Sequence, residues 1–175
     1  MNKIEKAKIF AKKAHDSIDQ KRKYTGEPYI VHPIKVMEIV RTVQHTEEML
    51  CAALLHDVLE DTPVTESELH REFGSKISDL VLWLTDVSKP ENGNRALRKA
   101  IDRQHSSMAP AEAQTIKIAD LIDNTNSILQ HDKNFAKVYI LEKELLLGLL
   151  DKGDKNLWKI AKKQVEEAKF ILSRD

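Results

Sequence analysis

The residues best suited to chemistry form the run HDVLED at positions 56–61, where one imidazole and three carboxylates fall within six residues. The run closes an apolar segment, residues 49–60, that we expect to be a buried helix. Ionisable groups buried there cost several kcal/mol each unless they find partners, and a metal ion is one such partner. On a continuous helix the last two carboxylates lie one turn beyond His56 and Asp57, on the same face. The run therefore predicts two metal ligands, with Glu60 and Asp61 beside them to polarise a water.

Two further side chains extend this set to four. His32 stands in segment 21–33, which contains a glycine and two prolines and is predicted to be non-helical. Asp120 lies in a helical pattern that begins near residue 110. Two imidazoles and two carboxylates suit a divalent ion such as Mn²⁺, Fe²⁺ or Zn²⁺. Water in the open positions becomes a nucleophile near neutral pH, because the ion lowers its pKa.

Each member of this set also has a simpler interpretation. An isolated His-Asp dipeptide rarely binds metal, and the two carboxylates that end the run suit a solvated helix terminus. Asp120, Asn124 and Ser127 recur at helical spacing, as a polar surface stripe does. His32 suits a contact between helices. The joint occurrence of all four residues in similar helical contexts favours the metal site.

Two basic clusters are candidates for phosphate binding. Arg22 and Lys23 lie at the start of the non-helical segment that carries His32, and a guanidinium plane stacks on a purine while it attracts phosphate. Arg95, Arg98 and Lys99 recur at helical spacing and could reach distal phosphates as a lid. Clusters of this kind also occur as solvated turns and exposed helix faces, so both interpretations stay open.

The composition argues against several classes of protein. Lys plus Arg and Asp plus Glu both number 28, so no global positive field indicates nucleic-acid binding. Cys51 is the only cysteine, which excludes an intramolecular disulfide and fits a reducing compartment. The N-terminus lacks the apolar run of a signal peptide, and no stretch reaches the roughly 18 apolar residues of a membrane span. We expect a cytoplasmic protein without membrane or nucleic-acid partners, in which residues 1–175 form one domain.

Hydrophobic periodicity is helical almost throughout, which predicts an all-α bundle of about eight or nine helices. Thr46 and Ser75 are candidate N-caps, and Thr65 with Glu68 matches a capping box. The predicted helices span residues 3–19, 33–43, 49–60, 95–105, 110–130, 134–150 and 155–172, with shorter ones over about 65–73 and from 75 onward. The histidines outside the motifs are predicted at the surface or at helix caps: His15, His45, His70, His105 and His131.

Three segments together resemble a known family. YTGEPYIVHP at 24–33, AALLHDVLEDT at 52–62 and TIKIADLIDN at 115–124 are similar to the signatures of RelA/SpoT-type HD hydrolases. That group includes stand-alone small alarmone hydrolases and the metazoan SpoT homologue. The similarity extends over about residues 5–145, and its HDxxEDT element is specific within the wider HD superfamily.

The resemblance implies an all-α hydrolase that uses Mn²⁺ to remove the 3′-pyrophosphate of (p)ppGpp. The positions that match the family's metal ligands are His32, His56, Asp57 and Asp120. Glu60 and Asp61 match the acidic pair associated with the attacking water. Arg22 and Lys23 match a basic pair on the purine and phosphates, Asn124 matches a residue near the ribose, and Tyr139 aligns loosely with a substrate-contacting tyrosine. With the helix-spaced candidates, the predicted substrate contacts are Arg22, Lys23, Arg95, Arg98, Asn124, Ser127 and Tyr139.

Alternative functions use the same residues. NADPH losing its 2′-phosphate, or another phosphorylated purine nucleotide, would fit the same chemistry. A non-catalytic nucleotide sensor would use the same pocket, but Glu60 and Asp61 disfavour it, because a pure binder gains nothing from carboxylates beside polyphosphate. The third signature departs from the family at Asp123, which adds negative charge near a polyphosphate site. A homo-oligomer stays open.

Overall fold

The computed structural model describes residues 1–174, which form helices joined by short loops. Nine helices of eight residues or more and one single-turn helix are found in this range, together with one isolated bridge between Lys21 and Pro28. The predicted all-α class is therefore confirmed. The chain divides into two compact units, residues 1–85 and residues 86 onward. A single domain over 1–175 stays a prediction.

The first unit contains six helices, of which α3 is buried. Their bounds are α1 Lys3–Asp16, α2 Val31–Arg41, α3 Glu47–Leu55, α4 Val58–Asp61, α5 Glu66–Phe73 and α6 Ser75–Leu84. Every side chain from Met49 to Leu55 is buried, and α3 packs against α1, α2 and α6. A helix that is apolar on all sides reaches this position because each of its faces needs a partner.

The predicted helix over 49–60 is wrong in one respect, because it is broken at the chemically important residues. α3 ends at Leu55, and α4 begins at Val58. Between them Asp57 has φ −102° and ψ −2°, in the sparsely populated bridge region. The apolar pattern runs through two helices that share a core, so periodicity alone did not reveal the break.

The predicted caps are confirmed at two sites and wrong at one. The Thr46 side chain accepts a hydrogen bond from the Met49 backbone, and Thr65 with Glu68 forms the reciprocal capping box. Ser75, predicted as a cap, is instead the first residue of α6, and Gly74 precedes it with φ +83°. Glycine adopts this left-handed conformation more easily than other residues. It turns the chain from α5 directly into α6, so Ser75 already lies within the helix and is not its N-cap.

The second unit begins with a loop and continues in four helices. The predicted loop over 88–94 contains a short 3₁₀ turn, Pro90–Asn92. The helices are α7 Arg95–Met108, α8 Ala111–His131, α9 Lys133–Leu147 and α10 Lys155–Leu172. α10 packs against α8 and α9, with a shared core cluster of Tyr139, Ile140, Val165 and Ala168. None of the helices in residues 1–174 combines the length and the apolar character that crossing a membrane requires.

The side chain of Gln114 lies in the core and forms hydrogen bonds to two separate loops of this unit. Its side chain is fully buried, and its Nε2 donates to the carbonyls of Ser106, Ser107 and Ala109 at 3.2–3.3 Å. Its Oε1 accepts from the backbone N–H of Lys152 at 2.9 Å. One amide therefore satisfies the C-terminal end of α7 and the turn before α10, groups that are costly to leave unpaired.

Replacing Gln114→Leu should lower the free energy of unfolding by about 2–4 kcal/mol, because it removes the hydrogen bonds of a buried amide and with them the acceptor of the Lys152 N–H. Urea denaturation followed by circular dichroism measures the change. Gln104→Leu, at an exposed position on α7, is the matched control and should change stability by less than about 0.5 kcal/mol. Equal effects of the two substitutions would contradict the role assigned to Gln114.

Candidate metal centre

The first unit brings three of the predicted ligands together. His32 is the second residue of α2, and His56 and Asp57 occupy the break between α3 and α4. One Asp57 carboxylate oxygen lies 3.0 Å from Nε2 of His56 and 3.7 Å from Nε2 of His32. The three ligand atoms all lie within 4.8 Å of one another. The helix break therefore aims the side chains of two consecutive residues at one point.

The backbone sets the tautomer of His56. Its Nδ1 lies 2.7 Å from the carbonyl oxygen of Ala53, which can only accept a hydrogen bond, so Nδ1 carries the proton. The Nε2 lone pair then faces the carboxylate of Asp57. A ligating histidine is oriented in this way in many metal sites, by a hydrogen bond from its other ring nitrogen. Both imidazoles are buried, with 2% of His56 and 1% of His32 exposed.

Tyr29 orients Asp57 and was not predicted as a site residue. Its hydroxyl donates to the Asp57 carboxylate at 2.6 Å. Its ring lies between two imidazoles, with centroid distances of 4.6 Å to His15 and 5.9 Å to His32. Tyr29 stands in the quoted segment YTGEPYIVHP, and a tyrosine three residues before a candidate ligand is the only signal the sequence offered.

A second network, also unpredicted, reaches Asp61. Nδ1 of His15 lies 2.7 Å from Oε1 of Gln20, and Nε2 of Gln20 donates to Asp61 at 3.0 Å. His15 is fully buried, so its predicted surface or capping position is wrong. The ring fills the space beside Tyr29, and its polar edge is turned to Gln20 rather than to water.

Asp61 keeps the predicted one-turn spacing from Asp57 despite the helix break. The backbone N–H of Asp61 donates to the carbonyl of Asp57 at 3.0 Å, which places their side chains one turn apart. Burial raises the pKa of Asp61, the neighbouring Asp57 charge raises it further, and the Gln20 hydrogen bond opposes both. Asp61 is partly buried and Glu60 is exposed. Asp61 is therefore the better placed of the two to exchange a proton.

Asp120 belongs to the second unit, where it is 8% exposed. Its Oδ1 accepts from Nδ2 of Asn124, one turn further along α8, at 2.8 Å. Its Oδ2 lies 3.7 Å from Nζ of Lys117. Ser127, the next member of the stripe, is partly buried. Coordination of the metal by Asp120 stays a prediction.

The first of the two basic clusters lies in a tight turn. The Arg22 backbone donates to the Glu27 carbonyl at 2.8 Å and accepts from Gly26 at 3.0 Å. The Arg22 side chain is partly buried, and Lys23 is exposed with its Nζ 5.2 Å from the Tyr24 ring centroid. Backbone hydrogen bonds thus hold this turn.

The candidates on α7 and α9 are placed differently from one another. Arg95 forms a two-bond pair with Glu142, at 2.7 and 2.9 Å, and Arg98 is partly buried. Tyr139 is 6% exposed and lies in the core cluster. Burial and, next, the Asp120 charge raise the pKa of its phenol well above the usual value. The predicted substrate contacts of these residues stay predictions.

The three clustered side chains fit a divalent cation. Nitrogen and oxygen ligands bound at about 2.1 Å from one ion lie roughly 3–4 Å from each other. The two measured separations, 3.0 and 3.7 Å, fall in this range. Two neutral imidazoles and a carboxylate leave coordination positions for oxygen ligands, as sites that activate water require.

Comparison with known proteins agrees with this chemistry. The HD domain family matches residues 7–135. A probable guanosine-3′,5′-bis(diphosphate) 3′-pyrophosphohydrolase of Mycoplasma pneumoniae is 34% identical over 134 residues, and the corresponding enzyme of Aquifex aeolicus is 36% identical over 128. Each alignment covers 71% of this chain but only 18% of the relative. The chain thus spans less than a fifth of the length of these relatives.

Solved structures show the same fold. A metazoan ortholog of SpoT, described as hydrolysing ppGpp with a role in starvation responses, superposes with a TM-score of 0.85 at 25% identity. The match covers 95% of this chain and 96% of that chain. A Listeria monocytogenes EGD-e protein superposes with a TM-score of 0.66 at 25% identity, covering 82% of this chain and 99% of its own. With its family match over residues 7–135 and its histidine–aspartate cluster, the chain belongs to the HD domain family.

Proposed function

We propose that this protein is a metal-dependent phosphohydrolase that removes the 3′-pyrophosphate of (p)ppGpp, with Mn²⁺ as the ion. The observation that carries the proposal is the convergence of His32, His56 and Asp57, with ligand atoms within 4.8 Å of one another. The names of the relatives support the substrate, since several are guanosine-3′,5′-bis(diphosphate) 3′-pyrophosphohydrolases. Asp120 is the proposed fourth ligand, from the sequence motif.

The bound ion would supply a Lewis acid for phosphate oxygen and a water of lowered pKa. The protein's own residues hold and orient the reactants. Tyr29 fixes the carboxylate of Asp57 through a 2.6 Å hydrogen bond, and Gln20 fixes Asp61 at 3.0 Å. Asp61, whose pKa is raised above the usual value, accepts the proton of the attacking water, with Glu60 beside it.

Hydrolysis forms one bond and breaks another. The water oxygen bonds to phosphorus, and the bond from that phosphorus to the ribose 3′ oxygen breaks. The proton taken up by Asp61 balances the proton that the leaving 3′ oxygen acquires. The residues proposed to hold the nucleotide are Arg22, Lys23, Arg95, Arg98, Asn124, Ser127 and Tyr139.

Product analysis tests the substrate. Protein loaded with Mn²⁺ should convert ppGpp to GDP and pyrophosphate, and pppGpp to GTP and pyrophosphate. NADPH, which would release orthophosphate from its 2′ position, serves as the competing substrate in the same assay. Chromatography of the nucleotides together with separate phosphate and pyrophosphate assays identifies the products. Turnover of NADPH alone would indicate that NADPH, and not the alarmone, is the substrate. Tight binding of ppGpp without turnover would indicate a nucleotide sensor and not an enzyme.

Removing one imidazole tests the metal site. His56→Ala should reduce bound metal, measured by mass spectrometry of the purified protein, and activity together, because the remaining ligands no longer enclose the ion. We expect activity to fall at least 100-fold. His70→Ala, at an exposed position on α5, should change neither quantity. Activity that persists in His56→Ala protein without bound metal would contradict the mechanism.

Asp61→Asn separates catalysis from stability. We expect activity to fall by about 10²–10⁴-fold, the usual contribution of a general base. Because the folded state raises the pKa of Asp61, the ionised carboxylate opposes folding above that pKa. Chelator-treated Asp61→Asn protein should therefore melt at a higher temperature than the parent at pH 7.

The stability gain should have a defined pH dependence. Below the ordinary aspartate pKa of 3.8, the parent carboxyl is protonated in both states, so the difference in melting temperature should disappear. Asp79→Asn, an exposed control on α6, should leave activity unchanged. A variant that is less stable than the parent at pH 7 and equally active would contradict the role of Asp61.

A further inference from the structure

Helix α9 has apolar side chains on two opposite faces. One face belongs to the core and contains the buried residues Ala136, Tyr139, Ile140, Leu146 and Leu147. The other face contains four side chains that are 40–57% exposed, namely Val138, Leu141, Leu145 and Leu149. Leu149 stays in line because Gly148, the C-cap of α9, keeps helical backbone angles. Helical spacing of three or four residues places these four side chains in one row, which we call the outer stripe.

A second apolar face is unusual for a helix at the surface. A helix that is apolar on all sides is normally enclosed, and α3 shows this in the first unit, where every side chain from Met49 to Leu55 is buried. A contiguous exposed apolar patch often marks a protein–protein interface. The outer stripe is therefore a candidate interface.

The carboxylates that flank the outer stripe are already paired within the chain. Positions 142 and 144 project to opposite sides of the stripe, because successive helical residues are about 100° apart. Glu142 holds Arg95 through two hydrogen bonds of 2.7 and 2.9 Å. Glu144 accepts two hydrogen bonds from Lys169, at 2.9 and 3.0 Å. Both flanks thus present neutralised pairs, which suit an apolar partner of balanced charge better than a strongly acidic or basic one.

The outer stripe is close to symmetric about its midpoint at position 143. Leu141 and Leu145 lie two residues to either side, and Val138 and Leu149 lie five and six residues away. If two copies of α9 packed antiparallel about a two-fold axis through this midpoint, Leu141 of each copy would face Leu145 of the other. A closed dimer requires a patch that can pair with itself in this way.

We propose that a second copy of this chain covers the outer stripe, in a two-fold dimer in which α9 packs antiparallel against its copy. The pairing brings no uncompensated like charges together, because Glu142 and Glu144 each carry their own cation. Lys137 is exposed on the same side as Glu144. The two Lys137 residues would lie roughly 18 Å apart along the helix pair, beyond the distance at which salt screens exposed charges.

The size of the outer stripe sets the expected strength of the dimer. The 15 residues of α9 span about 22 Å. One helix face of this length covers less than the roughly 800 Å² that each partner buries in a standard interface. We therefore expect a reversible dimer that forms at micromolar concentrations. The inference goes beyond the proposed function, since dimer formation requires no turnover.

Sedimentation velocity on the full 175-residue chain, loaded with Mn²⁺, tests the dimer directly. Between about 1 and 500 μM protein, the average mass should rise from 20.0 kDa towards twice that value. A mass that stays at 20.0 kDa over the whole range would overturn the proposal and leave the face to a partner of different chemistry. Because mass is measured, a protein that fails to hydrolyse ppGpp still gives an interpretable result.

Charged substitutions in the outer stripe test its role. Leu141→Lys and Leu145→Glu should each raise the dissociation constant at least tenfold, because each would bury a charge against an apolar side chain. Ile9→Glu on α1, where the parent side chain is 50% exposed, is the matched control and should leave the constant unchanged. Circular dichroism confirms that each variant is folded. A folded Leu145→Glu protein that dimerises as well as the parent would overturn the assignment of the face.

Mixing the two variants tests the antiparallel arrangement. In a mixed dimer the introduced lysine at 141 would face the introduced glutamate at 145, while the unchanged leucines at 145 and 141 would still meet. An equimolar mixture of Leu141→Lys and Leu145→Glu should therefore associate at least fivefold more tightly than either variant alone. A mixture that associates no better than the separate variants would overturn the antiparallel pairing.

Discussion

The candidate site of the first unit depends on one constraint: two imidazoles and a carboxylate meet at a single point among apolar helices. His32 and His56 are almost fully buried, and both turn Nε2 towards the same oxygen of Asp57. Such a cluster is costly unless each polar atom is compensated. Nearby groups supply part of this compensation. The Ala53 carbonyl accepts a hydrogen bond from Nδ1 of His56, and the Tyr29 hydroxyl donates one to Asp57. A divalent cation at the same point would satisfy the nitrogen lone pairs and the carboxylate charge together.

The break between α3 and α4 is the backbone feature that permits this arrangement. On a continuous helix His56 and Asp57 would project about 100° apart. With Asp57 in the bridge region, the carboxylate oxygen instead comes within 3.0 Å of the neighbouring imidazole. The turn also starts α4 at Val58, so Asp61 still follows Asp57 by one turn. The break between the two helices therefore lies at two of the residues that form the cluster.

The sequence predicted the helices well and the site in part, for physical reasons. Helix existence follows from local periodicity, and caps such as Thr65 follow from hydrogen bonds within four residues. Ligand types at His32, His56 and Asp57 were also readable, because their motifs are local. Tyr29 and the pair His15–Gln20 were missed, since their roles depend on partners 28 and 41 residues away, as the contacts to Asp57 and Asp61 show. Residue spacing alone does not predict contacts between side chains so far apart in the sequence.

The local distribution of charge is another feature that the amino-acid composition did not predict. The equal totals of 28 basic and 28 acidic residues predict no global field, and that remains a fair statement about the whole chain. Locally the charged groups are unevenly distributed: Asp102 accepts hydrogen bonds from the loop backbone, and Glu142 pairs with Arg95. One cavity of the second unit is lined by the cations Lys99, Arg103, Lys117 and Lys143 together with the acids Asp86, Asp102 and Glu142. A chain that is neutral as a whole can therefore gather many charged groups in one place, because the fold and not the composition decides which side chains become neighbours.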